Sequence, residues 1–179
     1  MRAVLDANVL FPTILREILT DLAGAELYTC LWSPRILAEW RHAAARLGPD
    51  QDAIAGAEIA LLRARFPQAE LSDDGIRALD LDFPDPADRH VVEAALAGDA
   101  RLIVTANLRD FPRHLMAPLG LRAIHPDAFL LDLLAEDPVQ VRAAVQKARD
   151  KAAAMGGAMT ASEMLKRCRL PRLSKALKG

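Results

Sequence analysis

Residues 1–10 read Met-Arg-Ala-Val-Leu-Asp-Ala-Asn-Val-Leu. The apolar run that ends at Leu5 is too short for a helix of its own, and it predicts a first, buried strand followed directly by Asp6. From Val9 to Ala23 the pattern changes, because apolar residues recur three and four positions apart as they do on one face of a helix. A buried strand that leads into a helix is typical of an α/β fold.

The alternation of short strands and helices continues beyond this start. We expect further strands at residues 26–32, 101–105 and 121–125, and helices at residues 34–47, 51–66, 89–97 and 128–134. Residues 71–81 are ambiguous and could hold a short helix and a short strand. Helices of this length serve as crossover connections between parallel strands. The sequence therefore predicts a largely parallel sheet that is covered on both faces.

The residues after Asp137-Pro138 differ from the rest, since their pattern is helical throughout and is broken at Gly156-Gly157 and Pro171. We therefore expect a domain over residues 1–137 and a C-terminal helical extension over residues 138–179. The charge is also uneven. Residues 1–140 contain 13 basic and 22 acidic residues, whereas residues 141–179 contain 10 basic and 2 acidic ones. Such asymmetry hints at an acidic site and a basic tail, although on charge alone a solvated basic helix pair is the preferred interpretation of the tail.

Composition narrows the class of protein. The chain has 179 residues, 52% of them hydrophobic, which is enough for one compact core. No apolar run approaches the roughly 20 residues of a membrane-spanning helix, and the start of the chain lacks the apolar stretch of a secretory signal. Cys30 and Cys168 have no metal-ligand spacing. We therefore expect a cytoplasmic protein without a membrane segment and without a zinc site.

Acidic and amide side chains follow the predicted strands. Asp6 comes directly after the first strand, Asn107 and Asp110 follow the strand that ends at Thr105, and Asp88 begins the helix before that strand. Ligands of parallel sheets bind at the carboxyl ends of the strands, where these segments meet. Glu39, five residues after Pro34, can reach the same edge.

Each of these acids has a simpler explanation by itself. Asp6, Asp88 and Asp110 could cap helices or turns, and Glu39 could be an ordinary acid in the first turns of a helix. Their convergence on one edge favours function, because neighbouring carboxylates repel each other unless a cation neutralises them. Magnesium prefers oxygen ligands, and it can activate water and neutralise phosphate charge. The sequence therefore predicts a site for Mg²⁺ or Mn²⁺ that hydrolyses phosphodiester bonds.

Four segments together resemble one known family. They are Val4-Leu5-Asp6-Ala7-Asn8-Val9-Leu10, Ser33-Pro34-Arg35-Ile36-Leu37-Ala38-Glu39, Asp85-Pro86-Ala87-Asp88-Arg89-His90 and Val104-Thr105-Ala106-Asn107-Leu108-Arg109-Asp110-Phe111. In this order, over residues 1 to about 130, they resemble the PIN-domain ribonucleases. The segment Pro126-Asp127-Ala128-Phe129-Leu130 is similar to one bacterial branch of that family.

The resemblance implies a three-layer α/β/α fold and a metal-dependent endoribonuclease, commonly the VapC-type toxin of a type II toxin–antitoxin pair. It further implies an antitoxin protein as partner, a homodimer, and RNA as substrate. The metal-binding acids that it implies are Asp6, Glu39, Asp88 and Asp110, with Glu39 positioning or deprotonating the attacking water. The residues that it implies as support are Asn8, Thr105 and Asn107, with Asp85 at the rim. Whether Asn107 or Asp110 touches the metal stays open.

The basic C-terminal region has two interpretations. Lysine and arginine side chains there could bind RNA phosphates, namely Lys166, Arg167, Arg169 and Arg172, with Lys175 and Lys178 beyond them. Alternatively, Leu165, Leu170, Leu173 and Leu177 could form an apolar stripe for self-association or for an antitoxin helix.

Two other functions fit parts of the pattern. Asp6 could be the nucleophile of a phosphatase, although Asn8 stands where such sites usually place a second aspartate. A catalytically silent nucleic-acid-binding or scaffold protein could keep the same fold, but it would be expected to lose the acids. His42, His90, His114 and His125 lack the spacing of a catalytic triad, and His90 is the least certain of them because it stands close to Asp88.

Overall fold

A computed structural model describes residues 1–72, 75–78, 80–156 and 159–178. The strands are β1 (Arg2–Leu5), β2 (Thr29–Leu31), β3 (Leu102–Val104) and β4 (Arg122–Ile124). The α-helices are α1 (Ala7–Leu10), α2 (Thr13–Gly24), α3 (Pro34–Ala45), α4 (Pro49–Arg65), α5 (Arg89–Ala97), α6 (Arg113–Met116), α7 (Pro126–Glu136), α8 (Pro138–Ala154), α9 (Ala161–Arg167) and α10 (Pro171–Ala176). Short 3-10 helices cover Pro86–Asp88, Leu108–Asp110 and Ala117–Leu119.

The strands form a parallel sheet in the order β2-β1-β3-β4. Val4 of β1 pairs with Leu31 of β2 on one side and with Ile103 of β3 on the other. These central positions are apolar and buried, as expected for strands covered on both faces. The predicted α/β fold with a largely parallel sheet is thereby confirmed, and the fold agrees with a PIN-like architecture.

The chain divides into two compact units. The first consists of Met1–Phe11 and Thr29–Ile124 and contains the sheet with α1 and α3 to α6. Within it, α3 packs against α1 and α4, and α5 packs against β1 and β3. Ser33 caps α3, since its hydroxyl accepts a hydrogen bond from the Ile36 N–H, and Pro34 occupies the first helical position.

The second unit consists of Pro12–Tyr28 and His125–Gly179. It is helical, with α2 packed on α8 and α10 packed on α7 and α9. Lys147 lies 2.9 Å from Asp21, an ion pair that joins α8 to α2. The buried Asp127 carboxylate of α7 accepts hydrogen bonds from the Arg172 and Leu173 N–H groups at 3.0 and 2.9 Å. These two N–H groups lie in the first turn of α10, where no carbonyl of the helix can accept from them. The boundary at Asp137-Pro138 stays a prediction, but the packing groups α2 with the C-terminal helices.

Several predicted elements differ from the structure. The helix expected over residues 9–23 is wrong as one element, because α1 ends at Leu10 and α2 begins at Thr13. Pro12 has an extended backbone between them and no N–H to continue a helix. The second strand is shorter than the expected 26–32, since Glu26 has a positive φ of 63°.

The 3-10 turn at Leu108–Asp110 and the helix α6 were not predicted. The ambiguous segment 71–81 and the break at Gly156-Gly157 lie partly outside the described residues. None of the described helices is both long enough and apolar enough to cross a membrane.

Candidate functional site

The first part of the candidate site joins the end of β1 to the end of β3. One oxygen of the Asp6 carboxylate, Oδ2, accepts hydrogen bonds from Asn8 Nδ2 at 2.6 Å and from Thr105 Oγ1 at 2.7 Å. Asn8 Oδ1 accepts from the Ala106 N–H at 2.9 Å, and Thr105 Oγ1 accepts from the Asn107 N–H at 3.0 Å. These bonds tie the loop after β3 to the residues after β1 and fix the orientation of the Asp6 carboxylate.

Asp6 is almost completely buried, with 5% of its surface exposed. Burial raises the pKa of this carboxyl, and the charge of Glu39 raises it further. The hydrogen bonds from Thr105 and from the Ala7 backbone act in the opposite direction, because they stabilise the charged form. Asp6 is therefore held in place but is costly to ionise without a compensating positive charge.

The second part of the site is a pair of aspartates. Asp88 ends the 3-10 turn before α5, and Asp110 ends the 3-10 turn after β3. Burial, a side-chain hydrogen bond with Asp110 and the negative charges of Asp6, Asp110 and Asp85 together raise the pKa of Asp88 to about 7. The Asn107 amide also donates to Asp110 Oδ2.

Glu39 reaches the site from α3. Its side chain is 39% exposed, and its Oε1 lies 2.8 Å from Nε2 of the buried His90 and 3.7 Å from Nε of Arg35. Arg35 also donates to the Ala87 carbonyl at 3.3 Å, next to Asp88. Glu39 is thus a half-exposed acid held beside the buried carboxylate of Asp6.

Asp85 occupies the rim of the cluster. Its carboxylate accepts from the Ala87 N–H at 2.8 Å and caps the turn that holds Asp88, while its charge acts on Asp88. All eight residues predicted from the strand ends and the family resemblance therefore lie in the first unit and interact with one another. They are Asp6, Asn8, Glu39, Asp85, Asp88, Thr105, Asn107 and Asp110.

The pattern gave no role to His90 or Arg35, the two basic residues whose side chains lie next to Glu39. One signal was available: His90 stands two residues after Asp88, in the first turn of α5, and Arg35 precedes Glu39 by four residues, one helical turn. Their approach to Glu39 depends on how α3 and the Asp85–His90 segment pack in three dimensions, which local spacing does not reveal.

The donor set suits a hard divalent cation, because it consists of carboxylate oxygens. Burial, and after it the neighbouring negative charges, raise the pKa of Asp88. Among the described residues, however, no three acidic, histidine or cysteine side chains are arranged to hold a metal ion as they stand. The acidic side chains therefore lie near one another but are not arranged as a metal-coordination shell. The assignment of Asp6, Glu39, Asp88 and Asp110 as metal ligands stays a prediction.

The predicted RNA-binding residues Lys166, Arg167, Arg169 and Arg172 lie in the second unit, and all four side chains are exposed. Leucines of the same region behave differently. Leu165, Leu170 and Leu173 are at most 1% exposed and belong to the core of the second unit. Leu177 is half-buried. The alternative prediction that these four leucines form an apolar stripe for self-association or for an antitoxin helix is wrong, because their own unit buries three of the four.

Comparisons with known proteins identify the family of the chain. The family model described as the PIN domain matches residues 2–109, more than half of the chain. A stretch of 47 residues, 26% of the chain, is 51% identical to VapC50 of Mycobacterium tuberculosis, whose name describes it as a candidate ribonuclease. That stretch spans 28% of the length of VapC50.

A solved structure of VapBC2 from Rickettsia felis, bound to a DNA fragment from its promoter, covers 70% of the chain and 98% of the solved chain. The identity is 17% and the TM-score is 0.49. The family match includes β1, α3, Asp88 and the loop up to Arg109, which carry most of the acidic cluster. The chain belongs to the PIN domain family.

Proposed function

We propose that the protein is a divalent metal-dependent endoribonuclease that hydrolyses RNA phosphodiester bonds at the cluster formed by Asp6, Glu39, Asp88 and Asp110. Membership of the PIN domain family and the 47-residue likeness to VapC50 support a nuclease. The observation that carries the proposal is the gathering of these carboxylates after β1 and β3 and before α5, where the charge of Glu39 acts on Asp6 and the charges of Asp6 and Asp110 act on Asp88. Burial first, and then the contact with Asp110 and these negative charges, raise the pKa of Asp88 to about 7.

A cation is the natural counter-charge for this crowding. Mg²⁺ or Mn²⁺ would be held by Asp6, Asp88 and Asp110, with Asn107 as an alternative or additional oxygen ligand. A bound ion of this kind supplies charge neutralisation at the scissile phosphate and a more acidic water molecule. Asn8 and Thr105 keep the Asp6 carboxylate oriented by the hydrogen bonds of 2.6 and 2.7 Å described above.

Glu39 is the residue that we assign to proton transfer from the attacking water. Its carboxylate is more exposed than that of Asp6, so water can reach it, and His90 lies 2.8 Å away to fix its orientation. Attack by water in line with the leaving oxygen would leave a 5′-phosphate and a 3′-hydroxyl, with no covalent bond to a protein side chain.

The physiological context follows from the family resemblance alone. We propose a cytoplasmic VapC-type toxin that is neutralised by an antitoxin protein and forms a homodimer. The exposed basic residues of the second unit, Lys166, Arg167, Arg169 and Arg172, add positive charge that RNA phosphates would favour.

The proposal is tested by cleavage of a mixed RNA pool with Mn²⁺, with EDTA, and with two variants. Glu39→Gln keeps the shape of the side chain but loses the base, and should slow cleavage by about 10²- to 10⁴-fold. The matched control is Glu58→Gln on α4, which should cleave like the wild type.

Cleavage that persists in EDTA, or an unchanged rate in Glu39→Gln, would contradict the proposal. Release of inorganic phosphate from a 5′-phosphorylated RNA without chain cleavage would instead favour the phosphatase alternative.

A further inference from the structure

The exposed face of α3 carries a groove next to the acidic cluster. The groove has a volume of about 450 Å³ and is lined by Arg35, Ala38, Glu39, His42, Ala43 and Arg46. These residues recur three, four and seven positions apart and so share one face of the helix. Two alanines leave its floor low between longer polar side chains, and every lining residue belongs to the first unit.

The groove is continuous with the cluster at one end. Glu39 lines the groove and also lies 2.8 Å from His90, and its charge acts on Asp6. Arg35 lines the same end and contacts the Ala87 carbonyl beside Asp88. A chain-like ligand that enters the cluster at this edge would therefore pass directly onto the face of α3.

The charge of the groove away from the cluster is positive. In the described part of the chain neither His42 nor Arg46 takes part in a hydrogen bond or ion pair with another side chain, and both are exposed. Arg41, on a different face of α3, instead forms two hydrogen bonds with Asp52, at 2.8 and 3.2 Å. Arg35 and Arg46 are eleven residues apart, which is about 16 Å along a helix.

We propose that this groove binds the sugar-phosphate backbone of single-stranded RNA on one side of the scissile bond, with Arg35 and Arg46 contacting phosphates and His42 donating a hydrogen bond between them. The inference rests on the proposed nuclease function and names the path of its substrate. The cluster itself is acidic and repels a polyanion, so binding energy has to come from cations outside it. The α3 face supplies such cations in direct continuity with Glu39, and the small floor residues leave room for the backbone.

Fluorescence anisotropy of a labelled single-stranded RNA, measured over a salt series in EDTA, tests the groove without cleavage. Each phosphate contact on a single strand contributes a slope of about 0.7 to the dependence of log affinity on log salt. Arg46→Gln should lower the slope by about 0.7, which corresponds to about eightfold weaker binding at about 50 mM salt. Arg46→Lys keeps the charge and should retain the slope of the wild type.

The matched control is Arg63→Gln, which removes one exposed arginine of the same unit that is already bonded to Glu70 at 2.6 Å. It should leave slope and affinity unchanged. If Arg46→Gln has the same salt slope as the wild type, the proposal that the groove binds RNA is wrong. It is also wrong if Arg63→Gln loses as much slope and affinity as Arg46→Gln.

The two proposals fail separately. If the protein cleaves RNA in Mn²⁺ but its RNA affinity does not depend on Arg46, only the proposed role of the groove is wrong. If RNA binding depends on Arg46 but no RNA is cleaved, the proposed nuclease activity is wrong and RNA binding by the groove is supported.

Discussion

Removing the charge of Asp88 should stabilise the protein in alkaline, metal-free solution. In the unfolded chain this carboxyl loses its proton near 3.8, whereas in the folded protein burial and the neighbouring carboxylates raise its pKa to about 7. Between these values the folded state holds a proton that the unfolded state has released. The free energy of unfolding contributed by Asp88 therefore falls as the pH rises from about 4 to about 7, and it stays low above that.

The size of the effect follows from the same difference. A pKa change from 3.8 to about 7 corresponds to about 4 kcal/mol for a fully buried group. Asp88 is only half-buried, and water screens part of the repulsion, so we expect about 1–2 kcal/mol. Asp88→Asn keeps a hydrogen-bond donor for Asp110 and should raise the free energy of unfolding by this amount at a pH above 7. Below pH 4 the variant and the wild type should agree within about 0.5 kcal/mol.

Urea denaturation in EDTA at pH 4 and pH 8 measures the difference directly. Asp82→Asn is the matched control, because Asp82 is exposed and is not among the carboxylates that act on Asp88. An Asp88→Asn variant that is less stable than the wild type at pH 8, or a gain of the same size in Asp82→Asn, would refute the reasoning.

Further predictions concern single contacts. Thr105→Val removes the hydroxyl that bonds to Asp6 but keeps the shape, and it should lower the free energy of unfolding by about 1–3 kcal/mol; an unchanged denaturation midpoint would contradict this. Gly98→Ala places a methyl group against the Cδ1 methyl groups of Leu71 and Leu31, closer than van der Waals contact allows, and should destabilise the protein by about 1–3 kcal/mol. Gly56→Ala is the counterpart in a helix, because its new methyl group lies at ordinary contact distances, and it should stabilise the protein by about 0.5–1 kcal/mol. A higher melting temperature for Gly98→Ala than for Gly56→Ala would contradict both predictions. Asp127→Ala leaves two N–H groups of α10 without their acceptor and should lower the free energy of unfolding by about 1–3 kcal/mol. If the amide hydrogens of α10 exchange at the same rate in the variant and the wild type, these hydrogen bonds do not stabilise the helix.

The strands and the acids beside them could be predicted because the signals are local. Short apolar runs such as Ala3-Val4-Leu5 in β1 form buried strands in the parallel sheet, and a carboxylate that follows a strand end must lie at the same edge as its counterparts. The same reasoning correctly placed α5 at residues 89–97.

Other features depend on contacts between distant parts of the chain. The contact between Glu39 and His90 joins residues 51 positions apart, and the sequence around neither residue predicts it. The grouping of α2 with α8 has the same cause. Leu165 and Leu170 looked like a free apolar stripe because spacing alone shows that one side of a helix is apolar, not what covers it.

Titration of Mn²⁺ into the purified protein, followed by calorimetry, tests the central claim that the four acids gather around a dication. We expect saturable binding by the wild type, unchanged binding by Asp82→Asn, and at least tenfold weaker binding by Asp110→Asn, about 1.4 kcal/mol for a lost ligand. Absence of heat from Mn²⁺ binding to the folded wild type, or equal affinity in Asp110→Asn, would contradict the account.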